Sequence, residues 1–519
     1  MEQLHYPVST ANFERIRTEN FVYVDKTDYI HSLVCKPGFY FLGRPRRFGK
    51  SLLLSTIEAY FLGKKDLFHG LKIETLHTGE WKSYPVIHLD LSGKAYIDKG
   101  SLQSLLDMHL HSWETEYDIK SPRTAVDERF NVIIETVAAK TGKKVVVLID
   151  EYDSPLSDAI DNKELQEYYR NQLHGFYSVL KKTEANIQFC MLTGVTKFGK
   201  ISVFSGLNNI RDISFENKYA GICGITEEEL HTYFSSGVAR LSETEGRDTD
   251  EIFEQLKFNY DGYHFSNSLL DVYNPFSVLN ALEKQEISDY WCTSGIPTLL
   301  SKSLRNMDYD LEKLNGTLVS NQTLDNLSVY QTDPVSLFYQ TGYLTIKKYD
   351  RSTKLYTLGY PNREVERGIL GDILKLYVPE RGDVNVAVTF MRENLKNGQP
   401  EKFISQLNAF LTGIPSKLRS RIAQYENYYH TIFYCIISLI GLDIDVEYNT
   451  SEGFIDILIK TENYIYIIEL KINGDAESAI RQMEEKHYAA QFSEDSRHLY
   501  KIGLGFSKKT HTIDSFIIN

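Results

Sequence analysis

Three groups of residues have the types and spacing for chemistry on phosphates. The first, Gly49-Lys50-Ser51, closes the stretch FLGRPRRFGKS at 41–51. A phosphate-cradling loop ordinarily reads Gly, four residues, then Gly-Lys-Ser or Gly-Lys-Thr. Here Arg44 fills the first glycine's slot, and Gly43 stands one residue early. Backbone N–H groups of Arg47, Phe48, Gly49 and Lys50, continued by Ser51 and Leu52 in the first turn of a helix, would surround phosphate oxygens. Lys50 would neutralise the β- and γ-phosphates of ATP, and the Ser51 hydroxyl would ligate Mg²⁺. The second group is Asp150-Glu151, in KKVVVLIDEYDSP at 143–155. Asp150 would hold that Mg²⁺ through water, and Glu151 would orient the attacking water. The third group lies far down the chain. Asp456 in FIDILIKT is followed, after twelve residues, by Glu469-Leu470-Lys471 in YIYIIELKI. Two carboxylates and the Leu470 carbonyl make an all-oxygen site for a hard divalent ion, Mg²⁺ or Mn²⁺. Lys471 would hold or deprotonate the attacking water.

These roles need particular elements beneath them. Apolar runs at 39–42, 85–91, 145–150 and 187–193 read as strands, and the stretches between them have helical or polar character. Continuous apolar strands separated by helices predict a parallel sheet covered on both faces, with ligands beyond the carboxyl ends of its strands. FYFL runs directly into the loop and SLLLSTIEAYF follows it with helical periodicity, so the strand–loop–helix context is present. The Asp150 strand is expected on a neighbouring strand. In the third group, residues two apart in a strand point the same way, so Glu469 and Lys471 share a side. A short hairpin brings Asp456 opposite them.

Between these regions, helical periodicity runs from 225 to about 320, opened by the capping box Thr226…Glu229. A helix and hairpin follow at 333–362, with strands near 343–349 and 354–358 around the turn DRST. That is the outline of a winged helix. Its wing carries Lys347, Lys348, Arg351 and Lys354, which suit either a DNA backbone or a solvated surface. LYVPERGDVNVAV at 376–388 has the Pro, Gly and charge of a boundary. The expected domains are a nucleotide-binding domain at 1–224, a helical lid with a winged-helix-like module at 225–378, and at 379–519 a domain that carries the Asp456 and Glu469-Leu470-Lys471 group.

The 519-residue length calls for several domains, and 42% hydrophobic residues suffice to pack them. A net charge of −13 argues against a surface coated for nucleic acid, though not against a local groove. The five cysteines are scattered without a Cys-x-x-Cys pair, as in a reducing compartment. The first sixteen residues lack a basic, apolar leader, and the longest apolar run, TIFYCIISLIGL at 431–442, is too short to span a bilayer. The expectation is a cytoplasmic protein with no membrane partner.

FVYVDKTDYI, GRPRRFGKSLLLSTIEAYF, LIDEYDSPL, LTGVTKFGKISVFSGLNNIRDIS and YDGYHF together resemble the bacterial AAA-ATPase-like proteins that carry a C-terminal nuclease-type domain. The resemblance covers nearly the whole chain. It implies that Arg-Pro-Arg-Arg-Phe-Gly-Lys-Ser is the family's own form of the loop. It also implies that Thr193, ending FCMLTG, senses the γ-phosphate, and that Arg46 and Arg47 either reach phosphate or cap the loop in solvent. The C-terminal third resembles the PD-(D/E)xK phosphodiesterase core: a helical Glu426 that would join the metal ligands, Gly453 before the Asp456 strand, Glu469-x-Lys471, then Gln482, implied to act with them in catalysis, with Tyr488 six residues on. Ile455 replaces the proline that often precedes the aspartate. Three functions compete: a nucleotide-regulated, metal-dependent nuclease acting on DNA rather than RNA; an ATP-switched scaffold that binds nucleic acid without cutting; and a plain NTPase. Association with further copies of the chain is left open.

Overall fold

The computed structural model describes residues 5–197, 207, 209–292, 314–325, 334–377, 384–412, 427–450, 452–472, 474–507, 510 and 512–519. The chain forms two compact units, Met1–Met307 with Lys313–Glu366, and Asp308–Glu312 with Arg367–Asn519.

The first unit is built on five parallel strands: β1 Phe39–Gly43, β2 Val86–Asp90, β3 Val145–Asp150, β4 Ile187–Gly194 and β5 Ile210–Asp212. Helices cover them on both faces, as their unbroken apolar sequences require. β3 is buried at every position, with Val145–Ile149 each 0% exposed. The strand order is β2-β3-β4-β1-β5. This corrects one expectation, because the Asp150 strand does not neighbour the loop strand. β4 lies between them, hydrogen-bonded to both, and carries Thr193 into the gap. Strand adjacency depends on long-range pairing, which local periodicity does not encode.

The capping box at Thr226 and Glu229 opens the helix Glu227–Glu245, which Gly246 ends with φ 65°. Further on, β6 Leu318–Ser320, β7 Thr345–Asp350 and β8 Leu355–Gly359 form an antiparallel sheet in the order β6-β8-β7, preceded by the helix Val335–Thr341. The hairpin starts two residues later than the sequence suggests. Tyr343 N–H and Leu344 N–H still bond back to the Phe338 carbonyl, and both side chains are buried. On the wing, the Lys347 ammonium donates to the Pro361 carbonyl at 2.9 Å.

The second unit centres on a mixed sheet of β9 Asp443–Thr450, β10 Gly453–Lys460, β11 Tyr464–Ile472, β12 His498–Ser507 and β13 Thr512–Ile518, ordered β13-β12-β11-β10-β9. β11 and β12 are parallel and the other pairs antiparallel. The helix Ala476–Glu485, capped by the Asp475 side chain, makes the crossover from β11 to β12. Among the described residues no helix is long and apolar enough to cross a membrane.

Candidate active sites

In the first unit the loop is anchored by its side chains, leaving its backbone to line the site. Phe48 is 1% exposed, with its ring 4.7 Å from Tyr263 and 5.4 Å from Phe265. The Arg47 guanidinium lies 3.9 Å over the Phe276 ring. Arg47 at φ 66° and Gly49 at φ 94° are left-handed, a conformation that bends successive peptide N–H groups into a concavity. Gly49 tolerates this freely, whereas Arg47 adopts it at a cost of about 1–3 kcal/mol, offset by its ring contact. Lys50 begins the helix Lys50–Phe61, and its ammonium donates to the Arg44 and Pro45 carbonyls at 3.2 and 3.1 Å. Ser51 and Leu52 follow in the first turn.

Arg44 does not leave a gap where the usual glycine would be. It is 2% exposed and its guanidinium donates to the carbonyls of Gly43, Ser214 and Tyr219 while stacking 4.2 Å over Phe265. The arginine therefore ties the loop to the chain that follows β5 and to the YDGYHF segment.

Asp150 and Glu151 reach the same place from β3. Asp150 is 4% exposed, accepts the Thr193 hydroxyl at 2.5 Å, and accepts the Glu151 N–H at 3.0 Å. Thr193, 0% exposed, thus faces the carboxylate that would hold the metal. Glu151 has φ 51° and stands 3.6 Å from the Lys50 ammonium. Although Lys50 pulls the other way, burial and the charges of Asp153 and Asp150 hold the Glu151 carboxyl above its ordinary range. A carboxylate so placed is suited to taking a proton from water.

Sequence reasoning missed two features here. Asp153, 2% exposed, accepts the N–H groups of Val195 and Thr196 and the Thr196 hydroxyl, locking the ends of β3 and β4 together. A side chain at Gly194 would collide with Asp153 and Tyr152. The second is a cavity of about 100 Å³ beside the loop, lined by Phe48, Gly49 and Leu52, by Val22 and Val24, and by Leu279. Apolar walls beside such a loop suit a flat, largely apolar part of a ligand. Its walls come from segments far apart in sequence, so no local pattern marks it.

In the second unit the register Ile457↔Ile468 carries Asp456 and Glu469 to facing positions one step further along. The Leu470 N–H donates to Asp456 Oδ2 at 2.8 Å, which fixes that carboxylate beside the Glu-x-Lys run. Glu469 is 1% exposed. Its Oε1 accepts from Lys471 at 3.1 Å and from the Gln482 amide, and Gln482 in turn accepts from Lys471. Glu469 Oε2 is buried and has no hydrogen-bond partner among the described residues. Burial and the nearby Asp456 push the Glu469 carboxyl up to about 7, with Lys471 opposing. An orphaned buried carboxylate oxygen facing a second carboxylate fits a divalent cation, which would complete its coordination. No group of three or more His, Cys, Asp or Glu in metal-binding geometry occurs among the described residues. Glu426, the expected helical ligand, lies outside them, immediately before the helix Asn427–Ile440.

Gln482 reaches the site because its helix lies close to the sheet. A Cβ at Gly503 would come within 2.6 Å of the Ala476 carbonyl oxygen and 2.9 Å of Ile480, and one at Gly505 within 2.8 Å of the Gly474 carbonyl oxygen. Paired glycines inside a strand are a sequence mark of close approach, and KIGLGF carries that mark. At the start of β10, Gly453 has φ 149° and lies against the hydroxyl of buried Tyr488, which gives that tyrosine a packing role.

The folds and the residue clusters define a P-loop nucleotide-binding unit joined to a nuclease-superfamily unit. A family model described as "Predicted AAA-ATPase" matches residues 7–204, and one described as "PD-(D/E)XK nuclease superfamily" matches 424–516. A relative from Azotobacter chroococcum mcd 1, "Uncharacterized protein in vnfD 5'region", is 32% identical over 526 residues, spanning 100% of this chain and 99% of the relative. The chain belongs to this family of predicted AAA-ATPases ending in a PD-(D/E)XK nuclease-superfamily domain. Among solved structures, the Aeropyrum pernix ORC2 protein in ADPNP–ADP complexes aligns over 70% of this chain and 94% of its own, at 11% identity and a TM-score of 0.25. The fold assignment rests on the strand order above rather than on that likeness.

Proposed function

We infer that this chain is an ATP-binding and ATP-hydrolysing protein whose second unit cleaves phosphodiester bonds of nucleic acid, DNA in preference to RNA, under control of the nucleotide state. The observation that carries the nuclease assignment is the buried, orphaned Glu469 Oε2 held opposite Asp456, with Lys471 and Gln482 bonded to the same carboxylate. Asp456, Glu469 and the Leu470 carbonyl are the groups that would hold Mg²⁺ or Mn²⁺. Such an ion supplies charge stabilisation to the transferring phosphoryl group. Lys471 positions the attacking water, and Gln482 fixes the orientation of Lys471 and Glu469. In the first unit, Lys50 and the loop N–H groups bind phosphates, Ser51 and Asp150 hold Mg²⁺, Thr193 orients Asp150, and Glu151 directs water.

The acidic net charge favours one other reading, a scaffold that binds nucleic acid without cutting. Cleavage assays on single- and double-stranded DNA and RNA, with Mg²⁺ or Mn²⁺ and with or without ATP, separate the two. Asp456→Ala should lose metal binding and cleavage together. Lys471→Ala should retain metal and nucleic-acid binding while losing cleavage. Wild-type protein that neither binds metal at this site nor cuts any substrate is the scaffold.

A further inference from the structure

The cavity beside the phosphate loop is mostly apolar and holds one charged group. Among the described residues that line it, Lys26 alone carries a charge. Lys26 is 9% exposed and directly precedes the helix Thr27–Val34. Its ammonium meets Glu229 Oε2 at 2.6 Å, and Glu229 also accepts the Thr226 N–H in the capping box of the helix Glu227–Glu245. Burial lowers the Lys26 ammonium from its ordinary range while Glu229 opposes that shift. An ammonium has three N–H donors, and Glu229 engages one. The other cavity groups offer little. The Thr56 hydroxyl is donated to the Leu52 carbonyl at 2.8 Å, the Tyr23 phenol is hydrogen-bonded to Thr56, and the Cys223 thiol is a weak donor.

With one donor held by Glu229, the remaining Lys26 donors suit a ligand that presents an acceptor at its edge. The planar ring system of a purine does this through its ring nitrogens. Resting on the reading that the loop holds ATP by its phosphates, we propose that Lys26 reads the base of the bound nucleotide by donating to an adenine ring nitrogen, and so sets the base preference of the first unit. Its ion pair with Glu229 holds the ammonium in place and links base recognition to the helix Glu227–Glu245.

The test uses the full chain, with calorimetric binding of ATP, 1-deaza-, 3-deaza- and 7-deaza-ATP, and tripolyphosphate. In each deaza analogue one ring nitrogen becomes C–H. One of the three should bind the wild type on the order of ten- to a hundredfold more weakly than ATP, the worth of one charge-assisted hydrogen bond. Lys26→Met should erase that difference while binding tripolyphosphate as the wild type does. Equal affinity of the wild type for ATP and all three analogues overturns the proposal. So does a Lys26→Met protein that loses tripolyphosphate affinity as much as ATP affinity, since Lys26 would then only hold the fold. Should Lys26→Met fail to fold, Lys26→Arg keeps the ion pair and relocates the donors; an analogue series unchanged from wild type then overturns it. A wild type that binds neither ATP nor tripolyphosphate defeats the underlying nucleotide reading instead.

Discussion

Glu151 and Arg44 show how one side chain decides what the loop region does. Glu151 is held in left-handed backbone 3.6 Å from Lys50, with its carboxyl above the usual range. Strain at such a position persists where the surrounding structure demands it. Glu151→Gln should therefore keep ATP bound yet slow turnover by on the order of a hundredfold or more, measured by phosphate release. Unchanged turnover would assign the residue to structure. Arg44→Gly restores the glycine of the ordinary loop, but it removes hydrogen bonds from a buried guanidinium to the Gly43, Ser214 and Tyr219 carbonyls. Each such bond contributes about 1.5–3 kcal/mol, so ATP affinity is expected to fall on the order of tenfold or more. Affinity equal to wild type would show that Arg44 is only a tolerated substitution. Residue types at Gly49-Lys50-Ser51, Asp150-Glu151 and Glu469-x-Lys471 were legible because their spacing is short and each sits at the end of an apolar strand. The role of Arg44 was not, since its three partners lie at 43, 214 and 219.

Elements place these residues, and here the sequence was legible in kind but not in arrangement. The unbroken apolar run of β3, the capping box at Thr226 and the β10–β11 hairpin all follow from local pattern. The insertion of β4 between β1 and β3 does not, because pairing partners are chosen across long stretches of chain. The approach of the helix Ala476–Glu485 to β12 depends on Gly503 and Gly505. Gly503→Ala would force that helix outward against a carbonyl oxygen, costing about 1–3 kcal/mol of stability. Because Gln482 would move with it, cleavage should fall by on the order of a hundredfold, as expected for a displacement near 1 Å. Metal binding at Asp456 and Glu469 should survive. A variant that cuts at the wild-type rate would show that Gln482 is not a positioning residue.

At the scale of the whole molecule, nucleotide control of cleavage predicts that two variants of the first unit diverge. Lys50→Ala should lose ATP binding in calorimetry with its circular dichroism unchanged, and Glu151→Gln should bind ATP while hydrolysing it slowly. Their cleavage rates with ATP present should then depart from wild type in opposite directions. If both cut as the wild type does, with and without ATP, the two chemistries are independent. The strand order of the first sheet has a consequence for how this molecule is made. Phe39 on β1 pairs with Cys190 on one side and Ile210 on the other. The loop that follows β1 thus leaves the ribosome well before its supporting strands, which emerge later by on the order of ten seconds at ordinary elongation rates. Until then FYFL is an apolar segment without the strands that flank it in the folded sheet, and such unpaired strands are open to wrong partners.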